Sequence, residues 1–213
     1  MHLTICEGAI AIVLAAGGAI FGTWWISQSY ERCPKILSHA GSAPKQDKSR
    51  GVRLAAVLWS LFFFTLLRFD DCLTVLSALV LIYFCVLFTF TDIEQRVLFD
   101  RMVIPFALLG LFFSIVSGAE VLDHLGAAAA SGLAFLLLAV LTRGGIGGGD
   151  IKLVAAIALW TGSDQALSIA LGGIILSGLA ALCLLASRRL TRSDYFPYAP
   201  GFAIAAILVT LLG

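Results

Sequence analysis

The chain has 213 residues, of which 60% are hydrophobic and only 13% charged, and its formal net charge is +1. A soluble domain of this length has too little interior to bury that much apolar surface, so lipid must surround much of the chain. The apolar runs are continuous rather than alternating, which argues against membrane-spanning strands. The sequence therefore predicts an all-α, polytopic membrane protein, and we expect no nucleic-acid partner.

Eight apolar segments are candidates for membrane-spanning helices, which need about 20 residues each. The first follows a start without basic residues, so we interpret it as a retained helix rather than a signal peptide. The sixth is short, and Gly162-Ser163-Asp164 separates it from the seventh. In chain order the predicted helices are Ile5–Tyr30, Val52–Leu67, Cys72–Phe90, Val103–Ser117, Leu122–Leu141, Ile151–Thr161, Gln165–Ser187 and Pro200–Leu212.

The basic residues follow one set of alternating loops. Thirteen of the 14 Lys and Arg residues fall in or beside that set, and the other set holds only Arg68. The positive-inside rule then places the basic loops in the cytoplasm and both termini outside, in the periplasm. The longest cytoplasmic connection, Ser38–Ser49, is rich in Ser, Gly, Pro and Lys, which predicts a flexible loop.

Two predicted cytoplasmic segments, Thr91–Pro105 and Gly144–Lys152, carry the residues best suited to chemistry. Asp92 ends an apolar run and Asp150 begins another, so both should lie near the same membrane face. Ionisable groups there are costly and are usually paired, hydrated or functional. Two carboxylates close together in a low dielectric share a proton. The ionised member can activate water while the protonated member polarises a carbonyl, as in an aspartyl protease.

Other residues of these segments have supporting or purely structural interpretations. Gly147 and Gly149 allow close approach of a substrate backbone, and Lys152 stays near Asp150. Alternatively, Asp150 and Asp100 are helix caps, Gly147–Gly149 is a flexible turn, and Lys152 is a membrane anchor. In the same way, Asp92 and Glu94 could be solvated loop acids. The five cysteines form no C-x-x-C pair and the three histidines are dispersed, so we expect no metal site.

Together the two segments resemble motifs of the bacterial prepilin peptidases, also called type IV leader peptidases. Thr91–Pro105 resembles the first aspartate motif of that family, and Gly147–Leu153 resembles its GxGD motif with a following lysine. Three further stretches are similar to family segments in the same order: Gly18–Pro34, Ala155–Trp160 and Pro197–Ala203.

The resemblance implies that Asp92 and Asp150 are the catalytic pair of a single membrane peptidase domain covering residues 1–213. It implies a hydrolase of the bacterial inner membrane that serves type IV pili or protein secretion. Its substrates would be prepilins or pseudopilins, cleaved at the cytoplasmic face between a short basic leader and a hydrophobic segment. Glu94 and Asp100 could then shape the loops or form an acidic cleft mouth for the leader.

The sequence departs from the family pattern after the first helix. Many members carry a cytoplasmic domain there with two C-x-x-C pairs, and some also N-methylate the new amino terminus. Here that region shrinks to a loop over residues 31–53, in which Cys33 is the only thiol. We therefore expect peptidase activity without N-methylation, and no cofactor; S-adenosylmethionine would be needed only if methylation is retained. Phe99 also stands where relatives commonly have proline.

Two other classes of function are alternatives to the peptidase. A proton-coupled small transporter would use intramembrane acids as a relay, but it predicts acids deeper in the helices and matching halves. A non-catalytic scaffold for pilus or secretion assembly would not need both aspartates. A presenilin-like GxGD protease would carry tyrosine before its first aspartate, where Thr91 stands here.

Overall fold

The computed structural model describes residues 2–38, 43–143, 145–188 and 196–213, and within these ranges all regular structure is helical. The predicted all-α class is confirmed. A short 3₁₀ turn, Pro34–Ile36, follows the first helix. The seven α-helices are α1 (His2–Arg32), α2 (Ala43–Arg68), α3 (Cys72–Gln95), α4 (Asp100–Val116), α5 (Val121–Leu141), α6 (Gly148–Ala186) and α7 (Ala199–Leu212).

Five of these helices contain segments long and apolar enough to cross a membrane, and α7 is a shorter apolar helix. The five segments are Glu7–Arg32, Ser49–Arg68, Cys72–Gln95, Val121–Leu141 and Gly148–Ala186. The chain is therefore a multi-pass membrane protein. It divides into two compact units, Met1–Val97 and Leu98–Gly213, and the single peptidase domain over residues 1–213 stays a prediction.

The first unit is built from α1, α2 and α3, and small residues of α1 set how closely the three helices approach. A side chain at Gly22 would meet Leu54 of α2 and Leu87 of α3 at 2.9 and 2.8 Å. Gly18 faces Leu58 and Tyr83 in the same way, at 3.3 Å from each. These two glycines therefore let α1 pack against both neighbouring helices at once.

The second unit contains α4 to α7, and Trp160 joins α4 to α6. Its ring stacks on Phe106 with centroids 5.3 Å apart and lies 5.4 Å from Phe113. Its indole N–H donates to the Phe106 carbonyl at 2.9 Å. A Cβ on Gly110 would lie only 2.5 Å from the indole, so no side chain fits at that position of α4.

Helix α6 breaks at Gly162, inside the Gly162–Asp164 linker predicted from the sequence. Gly162 has φ 65° and ψ −172°, a conformation that interrupts the helix. In an unbroken helix the Ser163 N–H would bond to the Leu159 carbonyl. Instead, Ser163 donates to Asp123 Oδ2 at 2.9 Å, and His124 Nδ1 lies 2.8 Å from the Leu159 oxygen. Two adjacent side chains of α5 thus replace the hydrogen bond that the break removes.

The first half of α6 runs antiparallel to α5. His124, near the start of α5, contacts Leu159. Further along α5, a Cβ on Gly132 would lie 3.4 Å from the Cβ of Ala155. Moving forward along α5 therefore means moving backward along this half of α6.

The second half of α6 runs parallel to α5. Ala127, early in α5, clusters with Ala166. Later in α5, the Phe135 ring lies 5.4 Å from the ring of Phe202, which occupies the space beside Gly173. The chain thus reverses direction at Gly162, so the predicted sixth and seventh segments form one 39-residue element with two opposed halves.

Several helices extend beyond their predicted ends, because the apolar run marks the part that prefers lipid and not the whole helix. Helix α3 continues from Phe90 to Gln95, and α4 begins at Asp100 rather than Val103. Helix α2 begins at Ala43, so the predicted flexible loop Ser38–Ser49 is wrong over residues 43–49. For the same reason residues 31–53 are not one loop, since both ends are helical. Residues 39–42 lie outside the described residues.

Candidate active site

Asp92 lies in a buried turn near the end of α3, with only 6% of its surface exposed. Its carbonyl accepts the Arg96 N–H at 2.8 Å, and Arg96 adopts the left-handed conformation that ends the helix. The neighbouring Thr91 hydroxyl donates to the Phe88 carbonyl at 3.1 Å. Asp92 is therefore fixed on a helix, and the alternative of a solvated loop acid is wrong.

Glu94, the next acid along α3, is buried in contact with two arginines and a tyrosine. Arg50 Nε and Nη2 each lie 2.9 Å from Glu94 Oε2, and the Arg50 side chain is fully buried. Arg53 Nη2 lies 3.4 Å from Oε1, and its side chain is about half exposed. The Tyr30 hydroxyl donates to Oε2 at 3.1 Å. The carboxylate thus meets cations of its own chain, and it is not a solvated loop acid either.

Asp150 is the half-buried third residue of α6. The N-cap of that helix is Gly147, in an extended conformation, so Asp150 is not the cap that one alternative proposed. The Gly147 carbonyl accepts the N–H groups of Asp150 and Ile151 at 3.1 and 3.3 Å. A Cβ on Gly147 would lie 3.1 Å from Asp150 Oδ2, and one on Gly149 would lie 3.1 Å from Leu98 Cβ. The glycines leave room around the carboxylate and beside the start of α4.

Lys152 pairs with Asp100 and joins the first turn of α4 to the first turns of α6. Its Nζ lies 2.7 and 2.9 Å from the two carboxylate oxygens. Asp100 is the first residue of α4, and the N-cap is Phe99. Both charged side chains are more than half exposed, so the pair contributes little to stability. A cavity of about 350 Å³ with a largely apolar lining opens beside it between α4, α5 and α6.

The two units divide the predicted site residues between them. The first unit contains Asp92 and Glu94, and the second contains Asp100, Gly147, Gly149, Asp150 and Lys152. The contacts of Arg50 and Tyr30 with Glu94 were not predicted from the sequence. In the sequence, Arg50 is indistinguishable from the other basic residues of the predicted cytoplasmic loops. Among the described residues, no group of three or more His, Cys, Asp or Glu side chains is placed to hold a metal ion.

The fold and these residues define a class: a multi-pass helical membrane protein with one acid ending an apolar helix and another beginning one. The model of the Type IV leader peptidase family matches residues 79–185, just over half of the chain, including Asp92 and Asp150. The chain belongs to the Type IV leader peptidase family, as its motifs predicted.

Curated relatives carry the name prepilin leader peptidase/N-methyltransferase. The Bacillus subtilis (strain 168) protein is 30% identical over 154 residues, which are 69% of this chain and 60% of that protein. The Neisseria gonorrhoeae protein is 33% identical over 140 residues, or 63% and 48% of the two chains. The Aeromonas salmonicida (strain A449) protein is 30% identical over 146 residues, or 65% and 50%.

The chain thus spans between about half and three fifths of the length of these relatives. No solved structure matches it significantly.

Proposed function

We propose that the chain is a membrane aspartyl endopeptidase that removes the basic leader from prepilin or pseudopilin substrates. One observation carries this proposal. The region matched by the family model includes Asp92, near the end of one apolar helix, and Asp150, near the start of another. The names of the relatives supply the substrate class.

The proposed chemistry assigns the two carboxylates complementary roles. The ionised carboxylate removes a proton from water while the water oxygen bonds to the scissile carbonyl carbon. The protonated carboxyl donates its proton to the carbonyl oxygen, giving a neutral tetrahedral diol. When the C–N bond breaks, the leaving amine takes the first proton and the diol returns the second to the other carboxylate. The reaction consumes one water and requires no metal or cofactor.

We further propose eight crossings of the bacterial inner membrane, with both termini outside and cleavage at the cytoplasmic face. The reversal at Gly162 supports the count. At 1.5 Å per residue, 39 residues would span about 58 Å, nearly twice the ~30 Å hydrocarbon core. The charge asymmetry supports the orientation, since Arg68 is the only basic residue predicted outside.

Two native cysteines test this topology. Cys72 is exposed beside the turn predicted outside, and Cys33 is partly exposed beside the predicted inner loop. In single-cysteine variants, a membrane-impermeant thiol reagent should label Cys72 in intact spheroplasts and Cys33 only in inverted vesicles. The opposite pattern would reverse the proposed orientation.

We propose leader cleavage without methyl transfer, although the relatives are also named N-methyltransferases. The region between α1 and α2, where many family members carry paired cysteines, holds the single thiol Cys33. Purified protein in detergent or lipid should cleave a prepilin-type substrate after the leader glycine. Adding S-adenosylmethionine should leave the mass of the mature product unchanged. A substrate that stays intact would refute the proposed function, and a product 14 Da heavier would refute the exclusion of methylation.

A further inference from the structure

We propose that Arg50 is a positioning residue for the catalytic Asp92 and that it acts through Glu94. This inference rests on the proposed function. It assigns Glu94 to the chain's own arginine rather than to the basic leader. The supporting observations all lie within the first unit, in the contacts that α1 and α2 make with the end of α3.

The Arg50 guanidinium is held from several sides. It is fully buried, with Nε and Nη2 both 2.9 Å from Glu94 Oε2. Its Nη1 donates to the Ser27 hydroxyl at 2.9 Å, and its Cζ lies 5.1 Å from the centre of the Tyr30 ring. A planar guanidinium with this many fixed contacts has little freedom to move. Arg50 therefore joins α1, α2 and α3 at one point.

That point lies one turn or less from Asp92 along the chain. Glu94 is two residues after Asp92, and α3 ends at Gln95. Helix ends fray unless side-chain or tertiary contacts hold them. Besides the bonds within the helix itself, the Arg96 N–H donates to the Asp92 carbonyl at 2.8 Å and the Ser38 N–H donates to the Gln95 carbonyl at 3.4 Å. The buried ion pair adds a side-chain anchor at the turn that carries the catalytic carboxylate.

Burial separates this role from direct recognition of the leader. Only 4% of the Glu94 side chain is exposed, and two arginines already face its oxygens. A carboxylate that bound the basic leader would have to be accessible to it. We therefore expect loss of the ion pair to lower kcat, because a misplacement of about 1 Å at a catalytic group can cost about 100-fold in rate. KM and its dependence on leader charge should stay unchanged.

Arg53 provides a matched control on the same helix. It contacts the same glutamate, at 3.4 Å from Oε1, but its side chain is 51% exposed. Exposed ion pairs contribute little, so Arg53→Gln should keep kcat within about twofold of the wild type. Arg50→Gln removes the same charge from the buried position.

The experiment measures kcat and KM for leader cleavage by purified wild type, Arg50→Gln, Arg50→Lys, Glu94→Gln, Arg53→Gln and the exchange Arg50→Glu/Glu94→Arg. Each protein is tested on two substrates that differ in the number of basic leader residues. Thermal unfolding in the same detergent identifies variants that have lost their fold. If Arg50→Gln does not fold, Arg50→Lys replaces it, because lysine keeps the charge and loses the fixed fork of donors.

The proposal predicts a kcat about 100-fold lower for Arg50→Gln and Glu94→Gln, with KM unchanged on both substrates. It also predicts partial recovery of kcat in the exchange variant. Wild-type kcat in folded Arg50→Gln or Arg50→Lys overturns the positioning role while leaving the proposed function intact. The positioning role is also overturned, with the proposed function intact, if Glu94→Gln raises KM and makes KM the same for the two leaders of different charge. Absence of cleavage by the wild type overturns both.

Discussion

The break in α6 makes a quantitative prediction about Gly162. Replacing Gly162 by alanine should destabilise the protein, because the φ of 65° with ψ of −172° is a region that only glycine adopts readily. Forcing another residue into such a conformation costs about 1–3 kcal/mol. The added Cβ would also lie 2.7 Å from Asp123 Oδ2 and 3.1 Å from His124 Nε2. Relieving that contact costs about another 1–3 kcal/mol.

The expected loss for Gly162→Ala is therefore about 2–6 kcal/mol. Gly178 gives a matched control, since it lies in the same helix and a Cβ there meets nothing within 4 Å. Gly178→Ala should be neutral or stabilising by up to about 1 kcal/mol, from the higher helix propensity of alanine.

The assay is thermal unfolding of the purified variants in one detergent. At each temperature, size-exclusion chromatography measures the fraction of protein that remains monodisperse. Gly162→Ala should unfold well below both the wild type and Gly178→Ala. If the two alanine variants unfold at the same temperature, the chain does not turn at Gly162 in the way described, and the support for eight crossings fails with it.

Two further changes test local features. Gly149→Ala should slow leader cleavage about tenfold, because its Cβ would lie 3.1 Å from Leu98 and displace the first turn of α6, which carries Asp150. Gly148→Ala, with nothing within 4 Å, should leave the initial rate unchanged, so equal rates for the two variants would contradict this role. Asp71→Ala should remove the N-cap of α3. Hydrogen bonds from Thr74 lower the pKa of the Asp71 carboxyl below its usual 3.8, so the stabilisation is present above that pH and is lost as the pH falls through the lowered pKa. Unfolding temperatures of wild type and Asp71→Ala should therefore differ at pH 7 and converge as the pH falls through the lowered pKa of Asp71, and a constant gap would refute the capping role.

Hydropathy and charge predicted the helical class, the membrane location and the break at Gly162, because each depends on local composition. The ends of the helices could not be predicted as well from the sequence. Helix α3 continues past Phe90 through two acids, since Glu94 is neutralised by an arginine from a different helix. No local pattern reveals that partner.

The same limit applies to the site. Asp92 and Asp150 could be selected from the sequence because each adjoins an apolar run and each belongs to a motif. Arg50 and Arg53 are three residues apart and look equivalent in the sequence, yet one is buried and the other half exposed. That difference arises from how α1 and α3 pack against α2, which composition does not encode.

We propose that Asp92 and Asp150 together carry out peptide hydrolysis. The most direct test compares leader cleavage by wild type, Asp92→Asn, Asp150→Asn and the control Asp164→Asn, an exposed acid beyond the break in α6. Each variant is first shown to unfold at the wild-type temperature. The wild type and Asp164→Asn should cleave after the leader glycine, while Asp92→Asn and Asp150→Asn should leave the substrate intact. Full activity in either folded variant would contradict the assignment of the pair.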